Sequence, residues 1–208
     1  AMLLHGVTGS GKTEVYLRAI DAVLATGGQA LMLVPEIALT PQLEARVAAR
    51  FPGAHVVCAN SGMADAARAR GFLDALEGHA DIVLGTRLAV FMPLPRLRLI
   101  VVDEEHDPSY KSQDGARYSA RDLAVYRAKV ESEALAAQGQ RCQVILGSAT
   151  PSLESWHAAE QGRYRRLAMP ARIGGGALPK LHLVDMNHQP KGASIAPPLL
   201  AAMQERIA

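Results

Sequence analysis

Short apolar runs alternate with longer amphipathic stretches along the chain. The apolar runs carry Val, Ile and Leu at consecutive positions, which is typical of strands that helices cover on both faces. They begin at or near Leu3 (LLHG), Ala30 (ALMLV), His55 (HVVC), Asp81 (DIVLG), Leu99 (LIVVD), Val144 (VILGS) and Leu181 (LHLVD). We therefore predict a buried strand at each of these positions.

The stretches between the runs have apolar residues at helical spacing. The first of them places Tyr16, Leu17 and Ile20 on one face. Helices are predicted over 13–24, 41–50, 64–76, 119–135, 152–161 and 198–207. Strands that alternate with helices indicate βαβ units. The expected fold class is α/β, with a mostly parallel sheet and helices on both of its faces.

A glycine-rich segment joins the first predicted strand to the first predicted helix. Its sequence, GVTGSGKT, matches the phosphate-loop pattern GxxxxGK[ST] in the required strand-to-helix context. Its glycines let backbone N–H groups surround phosphate oxygens, and the start of the helix offers further N–H groups to the same anion. The predicted nucleotide-binding residues are Gly6, Val7, Thr8, Gly9, Ser10, Gly11, Lys12 and Thr13. A chance glycine-rich turn is the alternative.

Two residues of this loop have specific expected tasks. Lys12 is placed to reach the β- and γ-phosphates of ATP, and the Thr13 hydroxyl is a suitable ligand for Mg²⁺. The loop therefore predicts a P-loop NTPase that uses ATP and Mg²⁺.

Acidic residues follow the strand LIVVD. The carboxyl edge of a parallel sheet is where open α/β folds bind ligands, so Asp103 and Glu104 are expected there. Asp103 is predicted to hold Mg²⁺, and Glu104 to orient and deprotonate the attacking water. A charged strand end entering solvent would have the same sequence, and His106 would then be only a solvated neighbour.

A third polar turn follows the strand VILGS. Ser148 and Thr150 lie where their hydroxyls can hydrogen-bond the acidic segment and so sense the nucleotide state. Simple capping of the helix that follows is the alternative.

GSGKT, DEEH and GSAT stand in the order found in superfamily 2 helicases of the DExH group. Three more stretches, VPEIALTPQ (34–42), GTRLAVFMPL (85–94) and DEEHDPSYKSQDGARYSARDLAVYRA (103–128), resemble the primosomal replication-restart DNA helicase family. The resemblance covers nearly the whole chain. It implies a RecA-like first helicase lobe over 1–173, followed by a strand and helix extension over 174–208.

The resemblance also implies further roles. His106 is similar to the family residue that connects the acidic segment to Ser148 and Thr150, in the turn after the VILGS strand. Residues similar to those that face single-stranded DNA, or that couple DNA contact to hydrolysis, are Pro35, Thr40, Arg87, Tyr110, Lys111, Arg117, Tyr118, Ser148 and Thr150. Aromatic rings can stack on bases and cations can neutralise phosphates, although ordinary partial burial would also account for the tyrosines. Ala116 stands where the family often has a bulky aromatic residue, which predicts either weaker stacking there or stacking by Tyr110 or Tyr118 instead.

Family proteins of this kind also have an amino-terminal DNA-binding region, a zinc module and a second lobe with an arginine finger. Zinc is therefore expected only outside this chain, and the lobe alone is expected to hydrolyse ATP very slowly. The implied partners are single-stranded and forked DNA, primosome proteins and single-strand-binding proteins.

Composition adds few constraints. The 208 residues carry 22 Lys and Arg against 20 Asp and Glu, so DNA binding would depend on local basic patches. One such group, Arg163, Arg165 and Arg166, is interpreted as a solvated helix end or a DNA-backbone contact. Cys58 and Cys142 form no CxxC pair, which fits a reducing cytoplasm and no zinc or disulfide framework. No apolar run is long enough for a membrane span.

Two other functional classes remain open at this point. One is an ATP-dependent translocase on duplex DNA in a restriction or repair machine, and the other is a nucleotide-binding module without turnover. The loop 107–121 and a preference for forked over linear DNA would separate the helicase from the translocase.

Overall fold

A computed structural model describes residues 1–60, 62–113, 115–174, 181–192 and 194–207. The chain divides into two compact units, Ala1–Gly175 and Gly176–Ala208. The glycine run at 174–176, which we predict to be a flexible joint, lies largely outside the described residues.

The first unit is built on a seven-stranded parallel sheet. Its strands, in chain order, are β1 (Met2–Gly6), β2 (Gln29–Leu33), β3 (Val56–Ala59), β4 (Ile82–Gly85), β5 (Leu97–Val102), β6 (Gln143–Ser148) and β7 (Arg165–Met169). They lie in the order β3-β4-β2-β5-β6-β1-β7, and every pair of neighbours is parallel. The predicted α/β fold class is confirmed.

The helices fall close to their predicted positions. They are α1 (Lys12–Leu24), α2 (Pro41–Arg50), α3 (Asp65–Leu76), α4 (Ala120–Leu135) and α5 (Leu153–Glu160), with α6 (Pro197–Ile207) in the second unit. Short 3₁₀ turns are found at Glu36–Ala38, Arg87–Phe91, Pro108–Tyr110, Ala136–Gln138 and Met186–His188. Within the described residues, no helix has both the length and the apolar character needed to cross a membrane.

Strand side chains alternate between two apolar cores, one on each face of the sheet. In β2, Ala30 and Met32 join the core beneath α1 and α2, while Leu31 and Leu33 join the core beneath α3, α4 and α5. Burial on both faces explains why the strands have continuous apolar sequences.

Two predictions about strands are wrong. Residues 181–185, predicted as a strand, have no regular secondary structure and are exposed. Conversely, Arg165 and Arg166 lie in β7 and pair with β1, so their interpretation as a helix end is wrong, while a DNA contact stays a prediction. β7 is an edge strand with exposed or half-buried side chains, so it lacks the apolar run that revealed the inner strands.

Gly147 in β6 makes room for the ring of Tyr16 on α1. A Cβ atom at this glycine would overlap the Tyr16 hydroxyl, and Tyr16 is fully buried. We expect Gly147→Ala to lower the free energy of unfolding by about 3 kcal/mol, the upper range for overpacking a core. Urea denaturation would measure the loss.

Gly53→Ala is the matched control, because a Cβ atom there meets nothing within 4 Å. Adding Tyr16→Phe to Gly147→Ala removes the overlapping hydroxyl and should recover part of the loss. Equal stability of the two alanine variants would contradict the packing argument.

Candidate functional site

Three polar segments meet at the carboxyl edge of the sheet. The phosphate loop follows β1, the DEEH segment follows β5, and the turn containing Thr150 follows β6. Because β5, β6 and β1 are neighbours in the sheet, segments that are far apart in sequence come together there.

The phosphate loop has the backbone that its glycines permit. Gly9 and Gly11 have φ angles of 79° and 88°, in the left-handed region that other residues avoid. Gly11 directly precedes α1 as its capping residue and forms no side-chain cap, which leaves N–H groups of the first helical turn uncapped. Free N–H groups at a helix start form a binding site for an anion.

Lys12 is held at the centre of the site. Its side chain is almost buried, and its Nζ donates a 3.0 Å hydrogen bond to the Gly6 carbonyl oxygen. The same atom lies 3.5 Å from Glu104 Oε1. Lys12 therefore connects the phosphate loop to the acidic segment.

The phosphate loop has no room for a side chain at Gly6. A Cβ atom at Gly6 would lie 2.6 Å from Ser10 Oγ and 2.9 Å from Lys12 Cγ. The Ser10 hydroxyl is buried and has no hydrogen-bond partner among the described residues. A buried hydroxyl of this kind is costly unless a partner satisfies it, which a phosphate oxygen would do.

Asp103 is fixed by neighbours on both sides. Tyr16 donates a 2.9 Å hydrogen bond to its Oδ1, and the backbone N–H of Glu104 donates a 3.0 Å bond to the same oxygen. Tyr110 donates a 2.7 Å bond to the Asp103 carbonyl oxygen. Burial raises the pKa of the Asp103 carboxyl, and the bond from Tyr16 opposes that rise. A nearby cation would favour the ionised form.

Glu104 has an unusual backbone conformation. Its φ angle is 43°, and it is the one residue other than glycine with positive φ in the described part of the chain. Such a conformation costs about 1–3 kcal/mol and is found most often at functional sites. It turns the partly exposed Glu104 side chain toward Lys12, whereas Glu105 next to it is buried.

These residues fit ATP and Mg²⁺. The buried Ser10 hydroxyl, the uncapped helix start and Lys12 suit a triphosphate, and Thr13 and Asp103 are oxygen ligands of the kind that Mg²⁺ takes. No group of three or more His, Cys, Asp or Glu that could hold a metal occurs in the described ranges.

His106 joins the DEEH segment to the turn after β6. Ser148 Oγ lies 2.8 Å from His106 Nδ1, and Thr150 Oγ1 lies 3.4 Å from His106 Nε2. Glu104 Oε2 lies 3.7 Å from the same Nδ1. The two hydroxyls therefore contact the acidic segment, as expected, and do so through His106. A relay role for His106 stays a prediction.

Residues predicted to face DNA along the other strand ends lie at the same edge of the sheet. Pro35 is buried directly after β2, and Thr40 caps α2 by accepting a 3.3 Å hydrogen bond from the Leu43 N–H. Arg87 begins the 3₁₀ turn after β4 and is half-buried. The Thr40 hydroxyl thus already has a structural task.

The loop after the DEEH segment is closed at its base. An antiparallel bridge pairs Lys111 with Ser119, and Lys111 and Arg117 are exposed. Tyr118 packs edge-on against Phe91, with ring centroids 5.1 Å apart. Tyr110 is only 1% exposed, so its ring is buried in the core and is not open to base stacking, while a coupling role for it stays a prediction. The bond from its hydroxyl to the Asp103 carbonyl explains why the chain buries it.

Sequence reasoning missed three residues that support this site or lie beneath it. Tyr16 was assigned only to the apolar face of a helix, yet it supports Asp103. Glu105 and Arg121 received no role, yet both are buried beneath the site. The unusual third acid of DEEH was the available signal for Glu105.

The chain is similar to known helicases. A family model described as DEAD/DEAH box helicase matches residues 1–158. Replication restart protein PriA of Bacillus subtilis is 40% identical over 209 residues, covering 99% of this chain and 25% of that protein. The Haemophilus influenzae PriA is 41% identical over 205 residues, covering 99% of this chain and 27% of that protein. The chain thus spans about a quarter of the length of these curated relatives.

Solved structures show the same fold. RecG bound to a three-way DNA junction matches with a TM-score of 0.57 and 23% identity, over 84% of this chain and 21% of RecG. The yeast DEAD-box splicing factor Prp28 matches with a TM-score of 0.57 and 16% identity, over 85% of this chain and 43% of Prp28. At these identities the likeness concerns the fold alone.

Proposed function

Because the chain belongs to the DEAD/DEAH box helicase family and is an ATP-dependent helicase lobe similar to PriA, we propose that it powers a 3′-to-5′ DNA helicase. This helicase recognises stalled forks and restarts replication by assembling a primosome. The observation that carries the proposal is the contact of Lys12 with Glu104, which joins the phosphate loop to the acidic segment at one sheet edge. The likeness to replication restart proteins supplies the biological context.

In the proposed reaction, water attacks the γ-phosphorus of ATP and the bond to the β,γ-bridging oxygen breaks, releasing ADP. Glu104 orients the water and accepts its proton, while Lys12 stabilises the charge on the phosphate oxygens. Thr13 and Asp103 would hold Mg²⁺, which neutralises further charge. Asp103 is held in place for this task by Tyr16 and by the Glu104 N–H.

DNA is the proposed partner at the carboxyl edge. Exposed Lys111 and Arg117 lie on the loop that follows the DEEH segment, and half-buried Arg87 lies after β4. Cations in these positions suit a phosphate backbone. Primosome and single-strand-binding proteins are proposed as partners of the whole protein, and the unpaired Cys58 and Cys142 suit the cytoplasm.

ATP hydrolysis by the natural full-length protein tests the proposal, measured without DNA, with linear duplex and with forked DNA. We expect forked DNA to stimulate turnover most. The chain produced alone should hydrolyse ATP slowly, because an arginine finger from a second lobe is worth about 10³-fold or more in P-loop enzymes.

Each alternative gives a different result. Equal stimulation by linear duplex would favour a translocase, and hydrolysis without any response to DNA would indicate a P-loop ATPase with another task. Rapid DNA-stimulated turnover by the chain alone would contradict the need for a second lobe.

A further inference from the structure

Glu105 lies at the centre of a buried polar cluster. Its side chain is fully buried, and its carboxylate accepts hydrogen bonds from the Ser152 N–H (2.7 Å), the Ser152 hydroxyl (3.0 Å) and the Ser155 hydroxyl (2.8 Å). Arg121 Nη1 lies 3.4 Å from the same carboxylate. Buried charges persist in proteins only with this degree of pairing.

Arg121 connects the cluster to two helices. It lies in the first turn of α4, is 7% exposed, and donates a 2.7 Å hydrogen bond to the Ser152 hydroxyl at the start of α5. Its Nε donates a 2.8 Å bond to Asp122. Glu105 is itself tied to β6, because its backbone N–H donates to the Gly147 carbonyl oxygen at 3.0 Å.

The loop 107–119 is therefore anchored to the DEEH segment on both sides. Before the loop tip, Tyr110 donates its hydroxyl to the Asp103 carbonyl. After the tip, Arg121 contacts Glu105 and stands two residues beyond Ser119, which closes the base of the loop. A displacement of the loop base would thus act on the acidic segment at both Asp103 and Glu105.

The turn after β6 is attached to the same cluster. Ser148 and Thr150 contact His106, and Ser152 contacts both Glu105 and Arg121. Hydrogen bonds of the Glu105 cluster and of His106 consequently join DEEH, the loop and this turn. Such a continuous network can carry coupling between two sites.

Resting on the proposed function, we propose that Glu105 and Arg121 are positioning residues that couple DNA at the loop 107–119 to ATP turnover at Glu104. Both residues are buried, and neither is proposed to touch ATP or DNA. They hold the loop base, the acidic segment and the turn after β6 in one mutual arrangement, so that DNA contact at the loop is transmitted to the residues that act on water.

The test is Arg121→Met in the full-length protein, with ATP hydrolysis measured at rising concentrations of forked DNA. Methionine keeps most of the side-chain volume and removes every hydrogen bond. We expect the DNA-stimulated kcat to fall about tenfold, within the usual range of coupling between sites. Turnover without DNA and the KM for ATP should change by less than about twofold, a selectivity that coupling predicts and general misfolding does not.

Arg121→Lys should recover part of the stimulation, because lysine keeps the charge but not the planar set of donors. Arg96→Met is the matched control. Arg96 donates 2.6 Å bonds to the carbonyls of Gly27 and Gly78 at the opposite edge of the sheet. Its loss should lower the unfolding temperature and leave the ratio of stimulated to basal turnover unchanged.

Ser155→Ala removes one donor to Glu105 and decides the question if Arg121→Met does not fold. It should lower DNA-stimulated turnover selectively. The inference is overturned if the Arg121 and Ser155 variants keep wild-type stimulation, or if basal and stimulated turnover fall in equal proportion. A wild-type protein that shows no response to DNA would instead overturn the proposed function, and this inference with it.

Discussion

Replacing Lys12 with alanine is expected to reduce ATP hydrolysis by the full-length protein about 10²- to 10³-fold, as when one preorganised electrostatic group is lost from a transition-state site. The Lys12 ammonium is almost buried and already directed between Gly6 and Glu104. It needs little rearrangement to meet a phosphate, and a cation acts most strongly where water is excluded. Steady-state hydrolysis with saturating ATP and DNA measures the loss.

Lys129→Ala is the control, because Lys129 is exposed on α4 and forms only a 3.9 Å surface ion pair with Glu133. Its turnover should equal that of the wild type. If Lys12→Ala retained more than about a tenth of wild-type turnover, the phosphate loop would not be the site of hydrolysis.

Glu104→Gln should separate binding from hydrolysis. Glutamine preserves the shape of the side chain but cannot take a proton from water, so we expect turnover to fall about 10²- to 10⁴-fold. ATP should still bind, because Lys12, Thr13 and the loop backbone are unchanged. Equilibrium binding of a fluorescent ATP analogue, measured beside hydrolysis, checks both parts.

Glu133→Gln, on the exposed face of α4, provides the matched charge loss away from the site. A Glu104→Gln variant that loses nucleotide binding instead of turnover would assign Glu104 a structural role, through its ion pair with Lys12.

The fold could be predicted from sequence largely because its signals are local. An inner strand such as β2 is apolar on both faces, and α2 begins at Thr40 and Pro41 as the capping residues indicate. The same rules failed at β7, whose edge position leaves Arg165 and Arg166 exposed. They also failed at 181–185, where an apolar run forms no strand.

The motifs of the site could be predicted from the sequence, whereas the residues that hold those motifs in place could not. Tyr16 and Asp103 are 87 residues apart, and Glu105 and Ser152 are 47 apart, so no local pattern connects either pair. Tyr110 differs from these pairs, because its local sequence gave a misleading signal. An aromatic residue in a polar loop suggested base stacking, whereas the fold buries the Tyr110 ring. Periodicity identifies elements, whereas hydrogen bonds between distant elements depend on the completed topology.

The place of β1 in the sheet has a consequence for how the protein folds. β1 is the first strand of this sheet in chain order, yet its two neighbours are β6 at Gln143–Ser148 and β7 at Arg165–Met169. β1 therefore has no strand to pair with until most of the chain has been synthesised. The phosphate loop that follows β1 cannot take its place at the sheet edge before then. Parallel pairing between such distant segments is slow, because the intervening chain must first be ordered. The nucleotide-binding site is thus among the last parts of the lobe to form, and β1 depends on protection from other partners during synthesis.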